Sequence, residues 1–400
     1  MRGKFVILSE YFAYLGMKNR LLAFSLGASF YLLAGCKNQP AQTDLNHSWM
    51  LTGFEKIDSV NPCLTPGLDS FPDPISNKQV QWEKKDVFNP AAVVRNGKVY
   101  LLYRAEDTIG RYNGTSRIGL AESEDGIHFI KRKEPVLFPQ QDAFKSYEWE
   151  GGCEDPRIVE DSSGRYILTY TAYDGTTARL MVASSTDLVN WTKHGSVFNK
   201  AEGGKYVNIW SKSGSIIAKR DGDKLIATRV NGKYWMYWGE SNIYAATSDN
   251  LIDWTPVPEP DPAKRSYDTL RKHETFKVVF TPRKGKFDSY LVEPGPPAIL
   301  TEMGILFIYN SRNDPENGDT SLPKGTYAGG QILADATDPM KVVERSDNYF
   351  IKPDRPFEIT GQVNNVIFLE GLVPFKNKWF MYYGTADSKI GVATSNQELK

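Results

Sequence analysis

The sequence predicts an all-β chain folded as a five-bladed β-propeller. Three observations carry that expectation. One unit recurs five times: an apolar strand, a turn with Gly or Asn, an aromatic strand, a loop, and a strand of small and apolar residues. Such a unit cannot bury both faces alone, so copies stack around an axis. No long helical periodicity lies between the units, which argues against a parallel α/β fold. The five-fold repeat likewise argues against the main rival, a β-sandwich.

The units follow in order. From Asn89, "NPAAVVRNGKVYLLYRAED" precedes "SRIGLAESEDGIHF". From Asp155, "DPRIVEDSSGRYILTYTAYDG" precedes "ARLMVASSTDLVNW". From Ser213, "SGSIIAKRDGDKLIATRVNGKYWMYWGE" precedes "NIYAATSDNLIDW". From Gly295, "GPPAILTEMGILFIYNSRN" precedes, after an insertion, "GTYAGGQILADATDPMKV". From Glu370, "EGLVPFKNKWFMYYGTAD" precedes "KIGVATS". Asp-Gly and Asp-Leu turns near the third strands fit hairpins to a fourth, outer strand near Phe129, Trp191 or Trp254.

Residues 1–36 read as an export signal, 37–85 as a polar tether and N-terminal extension, and 86–400 as the propeller domain. "MKNRLLAFSLGASFYLLAGC" starts at Met17 with Lys18 and Arg20 and ends in small residues before Cys36. Its apolar run is short for a membrane span, which needs about 20 residues. "LAGC" resembles the lipobox of bacterial lipoproteins, whose cysteine becomes the lipidated first residue. The long stretch before Met17 makes that methionine the candidate true start. The expectation is an exported, membrane-anchored lipoprotein, held by an N-terminal lipid at Cys36 and facing either the periplasm or the cell surface.

Composition narrows the partners. Lys plus Arg (48) balances Asp plus Glu (48), which argues against a nucleic-acid partner. Aromatics reach 12%, as a β-rich core requires and as sugar-stacking surfaces would add to. Cys63 and Cys153 either pair or are two small buried thiols. His47, His128, His194 and His273 show no ligand spacing, and neither a metal nor a cofactor is expected.

Carboxylates and arginines recur at equivalent strand ends. "EWEGGCEDPR" gathers Glu148, Glu150, Glu154 and Asp155 before a strand, while second-strand ends carry Arg104, Glu106, Asp107, Glu240, Asn310, Arg312 and Asp387. A solvated face would scatter such groups; a sugar pocket converges them, because glycoside cleavage needs an acid and a base. A general acid must hold its proton near neutrality, so the pKa of Asp155 is expected to be raised by burial and by its neighbours. Strand alternation puts Glu154 and Asp155 on opposite faces, which makes Glu154 a supporting residue.

"GCEDPRI", "FNP", "LLYRAED" with "SRIGLAESEDG", "GQILADATDP" and "EGLVPFKNKWFMYYGTADSKIGVA" together resemble glycoside hydrolase family 130. The resemblance spans the chain from about Asn89. It implies a five-bladed propeller acting on manno-oligosaccharides or mannose-containing glycans, as a phosphorylase or as an exo-acting β-mannosidase. It implies Asp155 as general acid, its proton passing through a hydroxyl of the bound mannose. It implies Asn89, Arg104, Asp107, Arg117 and Asp387 as holders of that mannose, with Glu154 and Arg157 flanking the acid.

Departures from the phosphorylases decide between the two activities. The family's phosphorylases carry a His-Arg pair after the third unit's "GKY" strand and a histidine after the fourth unit's aromatic strand. Here those places read "GKYWMYWGE" and "LFIYNSRN", giving Glu240 and Asn310, and "LVEPGPP" adds Glu293. Two new carboxylates would repel a phosphate. Lys212 matches a phosphate-binding lysine and argues the other way, unless it pairs with Glu240 or Glu293. The expectation is an inverting exo-β-mannosidase, with β-1,2-linked mannosides as candidate substrates and Glu240 and Glu293 positioning or activating water. The alternatives are a phosphorylase releasing mannose 1-phosphate, and a non-catalytic glycan-binding propeller. A related hydrolase acting on arabinose, xylose or fructose would need a carboxylate on the first inner strand, where the chain reads "NPAAVV".

Overall fold

A computed structural model describes residues 49–399 except 113 and 270. The signal segment, the tether before residue 49 and Cys36 lie outside the described residues. Within them the chain is all-β, and its two α-helices, Lys145–Glu148 and Pro356–Ile359, are four residues each.

The strands fall into five successive antiparallel units. The first pairs Asp86–Arg95, Lys98–Glu106 and Ser116–Ser123, with Ile130–Lys131 outermost. The second runs Gly152–Glu160, Tyr166–Tyr173, Ala178–Ser185, Thr192–Ser196. In the third, Ser215–Asp221 pairs with Lys233–Trp238 at its start and with Lys224–Ala227 at its end. The expected aromatic strand is Lys233–Trp238, preceded by the added strand Lys224–Ala227, and Ile243–Ser248 and Trp254–Pro256 complete the unit. The fourth comprises Leu291–Pro294, Ala298–Leu300, Ile305–Arg312, Tyr327–Ala334 and Val342–Arg345.

The fifth unit holds Ile367–Phe375, Lys378–Thr385 and Lys389–Ser395. Its outer strand is Glu55–Lys56, from the opposite end of the chain, with Glu55 facing Thr394. Residues 49–85 are thus built into the fold: Leu51 and Trp82 are fully buried, and Gln331 bonds both backbone groups of Leu51.

The small residues of the third strands have a packing reason. Tyr103 faces Gly119, Tyr309 faces Gly330 and Tyr383 faces Gly391 across their strand pairs. A Cβ on these glycines would sit 2.4, 2.3 and 2.7 Å from the facing rings. Each aromatic ring lies flat over a bare backbone, and burying a Phe-sized side chain contributes about 1.5–3 kcal/mol. Cys63 and Cys153 are both free thiols, the second buried.

Candidate active site

First strands of the units break register where they start. The pairing shifts between Phe88 and Pro90, between Glu154 and Arg157, and between Leu369 and Gly371. Asn89, Asp155 and Glu370 lie at those bulges, and such an extra residue re-aims a side chain. Asn89 and Asp155 take left-handed backbone angles (φ 48° and 47°), as does Ser213 (φ 56°) before the third unit's first strand. Asn and Asp tolerate this region better than most residues.

The bulge overturns the alternation argument. Glu154 and Asp155 do not diverge; both reach the guanidinium of Arg104, each at 3.1 Å. Arg104 also bonds Glu106 at 2.8 Å and lies over the Phe88 ring. Asp155 further accepts from the Asn89 amide at 2.9 Å, and its other oxygen is 3.8 Å from Lys212 Nζ.

Asp155 also departs from expectation in charge. Burial alone would push its carboxyl up, but Arg104, Lys212, the Asn89 amide and Arg157 outweigh burial and hold it well below the usual range. The proton-rich groups are its neighbours. Burial, with a contribution from Asp155, lifts Glu154 to about 7 against the pull of Arg104. Burial likewise lifts the half-exposed Asp387 to about 7, with Arg104 opposing and Asp155 and Glu106 adding to the rise.

Lys212 links this acid corner to a second one. Burial would lower its pKa, but Glu240, Glu293, Asp155 and Glu154, in that order, raise it well above the ordinary lysine value. Glu293 is buried, accepts from the Ser213 hydroxyl, and is pushed up to about 7 by burial and by Glu240. Half-exposed Glu240 accepts from the Trp210 indole at 2.9 Å, and Arg271 donates to its backbone carbonyl at 3.3 Å. Arg271 lies in the hairpin that pairs Tyr267–Asp268 with His273–Glu274, which therefore reaches the rim of the site. Asn310 is absorbed by packing: its amide bonds the N–H and C=O of Leu369 in the next unit.

Asp107 and Arg117 are placed differently from the sugar-holding role implied for them. Asp107 accepts from the N–H groups of Ile109, Gly110 and Thr115 and from Arg117, clamping the loop that follows it. Arg117 pairs with Asp107 and with Asp73 and is buried. Neither side chain bonds Arg104, Glu154 or Asp155. Glu148 also stands apart, fully buried between Lys193 (2.5 Å) and the Tyr170 hydroxyl (2.8 Å). Glu148→Gln is expected to cost roughly 3 kcal/mol of unfolding free energy, as breaking a buried pair does. Its kcat per folded molecule should match wild type; denaturant unfolding and active-site-normalised assays check both.

Sequence reasoning placed Ser213 and Glu370 at first-strand starts without giving them a role, and did not single out Trp210. Glu370 has a fully buried side chain, and its carboxyl is pushed well above the usual range by burial, against Arg157. Its signal was the repeated acid at a first-strand start. Among the described residues no group of three or more His, Cys, Asp or Glu is arranged to hold a metal ion.

The model of glycoside hydrolase family 130, described as beta-1,4-mannooligosaccharide phosphorylase, matches residues 68–399. A 1,2-beta-oligomannan phosphorylase of Thermoanaerobacter sp. (strain X514) is 30% identical over 322 residues, covering 78% of this chain and 90% of the relative. Its names and those of other curated relatives fit the phosphorylase alternative better than hydrolysis. Among solved structures, a glycosyl hydrolase from Bacteroides ovatus is 45% identical with a TM-score of 0.81, covering 87% of this chain and 95% of that one. Another, 44% identical with a TM-score of 0.81 over 87% of this chain and 95% of its own, is described with a GH130 family of mannoside phosphorylases that contains glycoside hydrolases targeting β-1,2 mannosidic linkages in Candida mannan.

Proposed function

The chain belongs to glycoside hydrolase family 130, and from that premise we propose that it is an inverting exo-β-mannosidase acting on β-1,2-linked manno-oligosaccharides. The observation that carries hydrolysis is the Lys212 corner. The charge of one lysine there is felt by both Glu240 and Glu293. A phosphate dianion would meet two carboxylates already competing for that lysine, whereas water needs a carboxylate base. The solved structure described with β-1,2-directed hydrolases supports the same choice.

In this reading Arg104, Asn89 and Asp387 hold the mannose, Asp155 delivers the proton, and Glu293, with Glu240 beside it, takes the proton of the attacking water. The five units are proposed as the blades of a five-bladed propeller. Supporting this, the first strands of the third and fourth units run parallel, Ile217 beside Ala298 and Ala218 beside Ile299. Phosphorolysis is the second reading, favoured by Lys212 and by the names of the curated relatives. Incubating the enzyme with β-1,2-mannobiose in phosphate-free buffer separates them. Steady release of mannose supports hydrolysis; cleavage only after phosphate is added overturns it.

Export rests on "LAGC" and is proposed on that ground: Cys36 carries the lipid that anchors the mature protein to the membrane. Cys36→Ser should leave the protein soluble or unprocessed after cell fractionation. Wild-type mature protein found freely soluble would overturn the anchor.

A further inference from the structure

Arg157 spans two units. Its guanidinium donates to the carbonyl of Asp155 (3.1 Å) within its own unit, and to the carbonyls of Pro294 (2.7 Å) and Gly295 (3.1 Å) in another. Pro294 directly follows Glu293, so one side chain ties the backbone beside the acid to the backbone beside the carboxylate assigned to water. Glu370, from the fifth unit, closes this arrangement. Its Oε1 lies 3.0 Å from Arg157 Nη2. That contact is poorly angled for a hydrogen bond, and neither oxygen of Glu370 has a hydrogen-bond donor. Both side chains are almost fully inaccessible, at 1% and 0%. Glu370 therefore cannot touch substrate; it acts only on what surrounds it.

We propose that Glu370 and Arg157 form a buried positioning couple that sets the distance between Asp155 and Glu293. The inference rests on the acid and base roles proposed above. Three units contribute to it: Asp155 and Arg157 come from the second, Glu293 from the fourth and Glu370 from the fifth. Glu370 fills the space behind the guanidinium with a polar group and keeps Arg157 aimed at the three carbonyls. An apolar side chain at that position leaves Arg157 free to swing toward Asp155 or Glu293, both of which already feel its charge. A shift of about 1 Å in such a constellation costs on the order of 100-fold in rate. Substrate affinity, set by Arg104, Asn89 and Asp387, is left alone. The signature is a loss in kcat without a rise in KM.

The test is steady-state kinetics on β-1,2-mannobiose with Glu370→Leu and Glu370→Gln. Glu370→Leu is expected to lower kcat about 100-fold with KM within about threefold of wild type. Glu370→Gln keeps a carbonyl oxygen at Arg157 and is expected to recover most of that loss. Arg157→Lys should resemble Glu370→Leu, and the double variant should be little worse than either alone, since the two residues act together. A folded Glu370→Leu enzyme with near-wild-type kcat overturns the proposal, as does a Gln variant no better than the Leu variant. If Glu370→Leu does not fold, Glu370→Asp replaces it, withdrawing the carboxyl by one methylene. About tenfold loss in kcat at unchanged KM supports the couple, and wild-type kcat overturns it. Wild type is assayed with and without phosphate alongside: a wild type that needs phosphate defeats hydrolysis, while the ratios among variants still decide the couple.

Discussion

Asp155→Asn is expected to lower kcat on β-1,2-mannobiose by about 10² to 10⁴ while leaving the fold and KM nearly unchanged, the usual worth of a positioned general acid. The amide has the carboxylate's shape and keeps an oxygen for Arg104 and for Asn89. It has no proton to give at neutral pH. The fold tolerates the lost charge because Arg104 retains Glu106 and Glu154 as partners. The low pKa of Asp155 does not remove it from this role. Burial lifts Glu154 and Asp387 to about 7, and Glu154 bonds the same Arg104 guanidinium as Asp155. Glu154, on the same guanidinium, therefore holds a proton beside Asp155. Circular dichroism and kcat measured together check the expectation. A folded variant keeping more than about a tenth of wild-type kcat would remove Asp155 as the acid.

The second large effect concerns Glu293. Glu293→Gln should lower kcat by a similar factor of about 10² to 10⁴, since the amide cannot accept a proton from water. The pH profile gives an independent reading. Burial and Glu240 raise the carboxyl from 4.5 to about 7, and a base works only when ionised. Wild-type kcat/KM should therefore fall as pH drops below about 7, not below about 4.5. On the alkaline side, Glu154 and Asp387 lose their protons near the same pH, so the profile should be a bell centred near neutrality. Glu240→Gln removes a charge that raises Glu293, so the acid limb of its residual activity should move to lower pH. An unshifted limb would mean that another group controls it. Stability follows the opposite sign. These carboxyls bind more protons folded than unfolded between about 4.5 and 7, so their contribution is present below that window and lost as pH rises through it.

The five units were legible because each aromatic strand must face small residues, and that contrast survives in the linear text. Tyr103 over Gly119 and Tyr383 over Gly391 are the physical form of it. The closing strand Glu55–Lys56 was not legible: two residues carry no period, and their partner Thr394 lies at the other end of the chain. At the site, residue identities were readable and geometry was not. Alternation placed Glu154 opposite Asp155, and nothing in "CEDPR" announces a residue at φ 47° that brings both onto Arg104. The charge of Asp155 was misjudged because it is decided by Arg104 of the first unit and by Lys212, just before the third, both distant in sequence. Glu370 hid for a related reason, since its partner Arg157 is distant in sequence and looked like a flanking residue of the acid.

The central claim is that water, and not phosphate, attacks the mannose. Cleavage of β-1,2-mannobiose in ¹⁸O-labelled water containing phosphate tests it in one reaction, read by mass spectrometry and by NMR of the first-formed anomer. Attack by water activated at Glu293 gives α-mannose carrying ¹⁸O at C1. Mannose 1-phosphate as the main product, with no ¹⁸O at C1, would contradict the assignment of Glu240 and Glu293 to a water site.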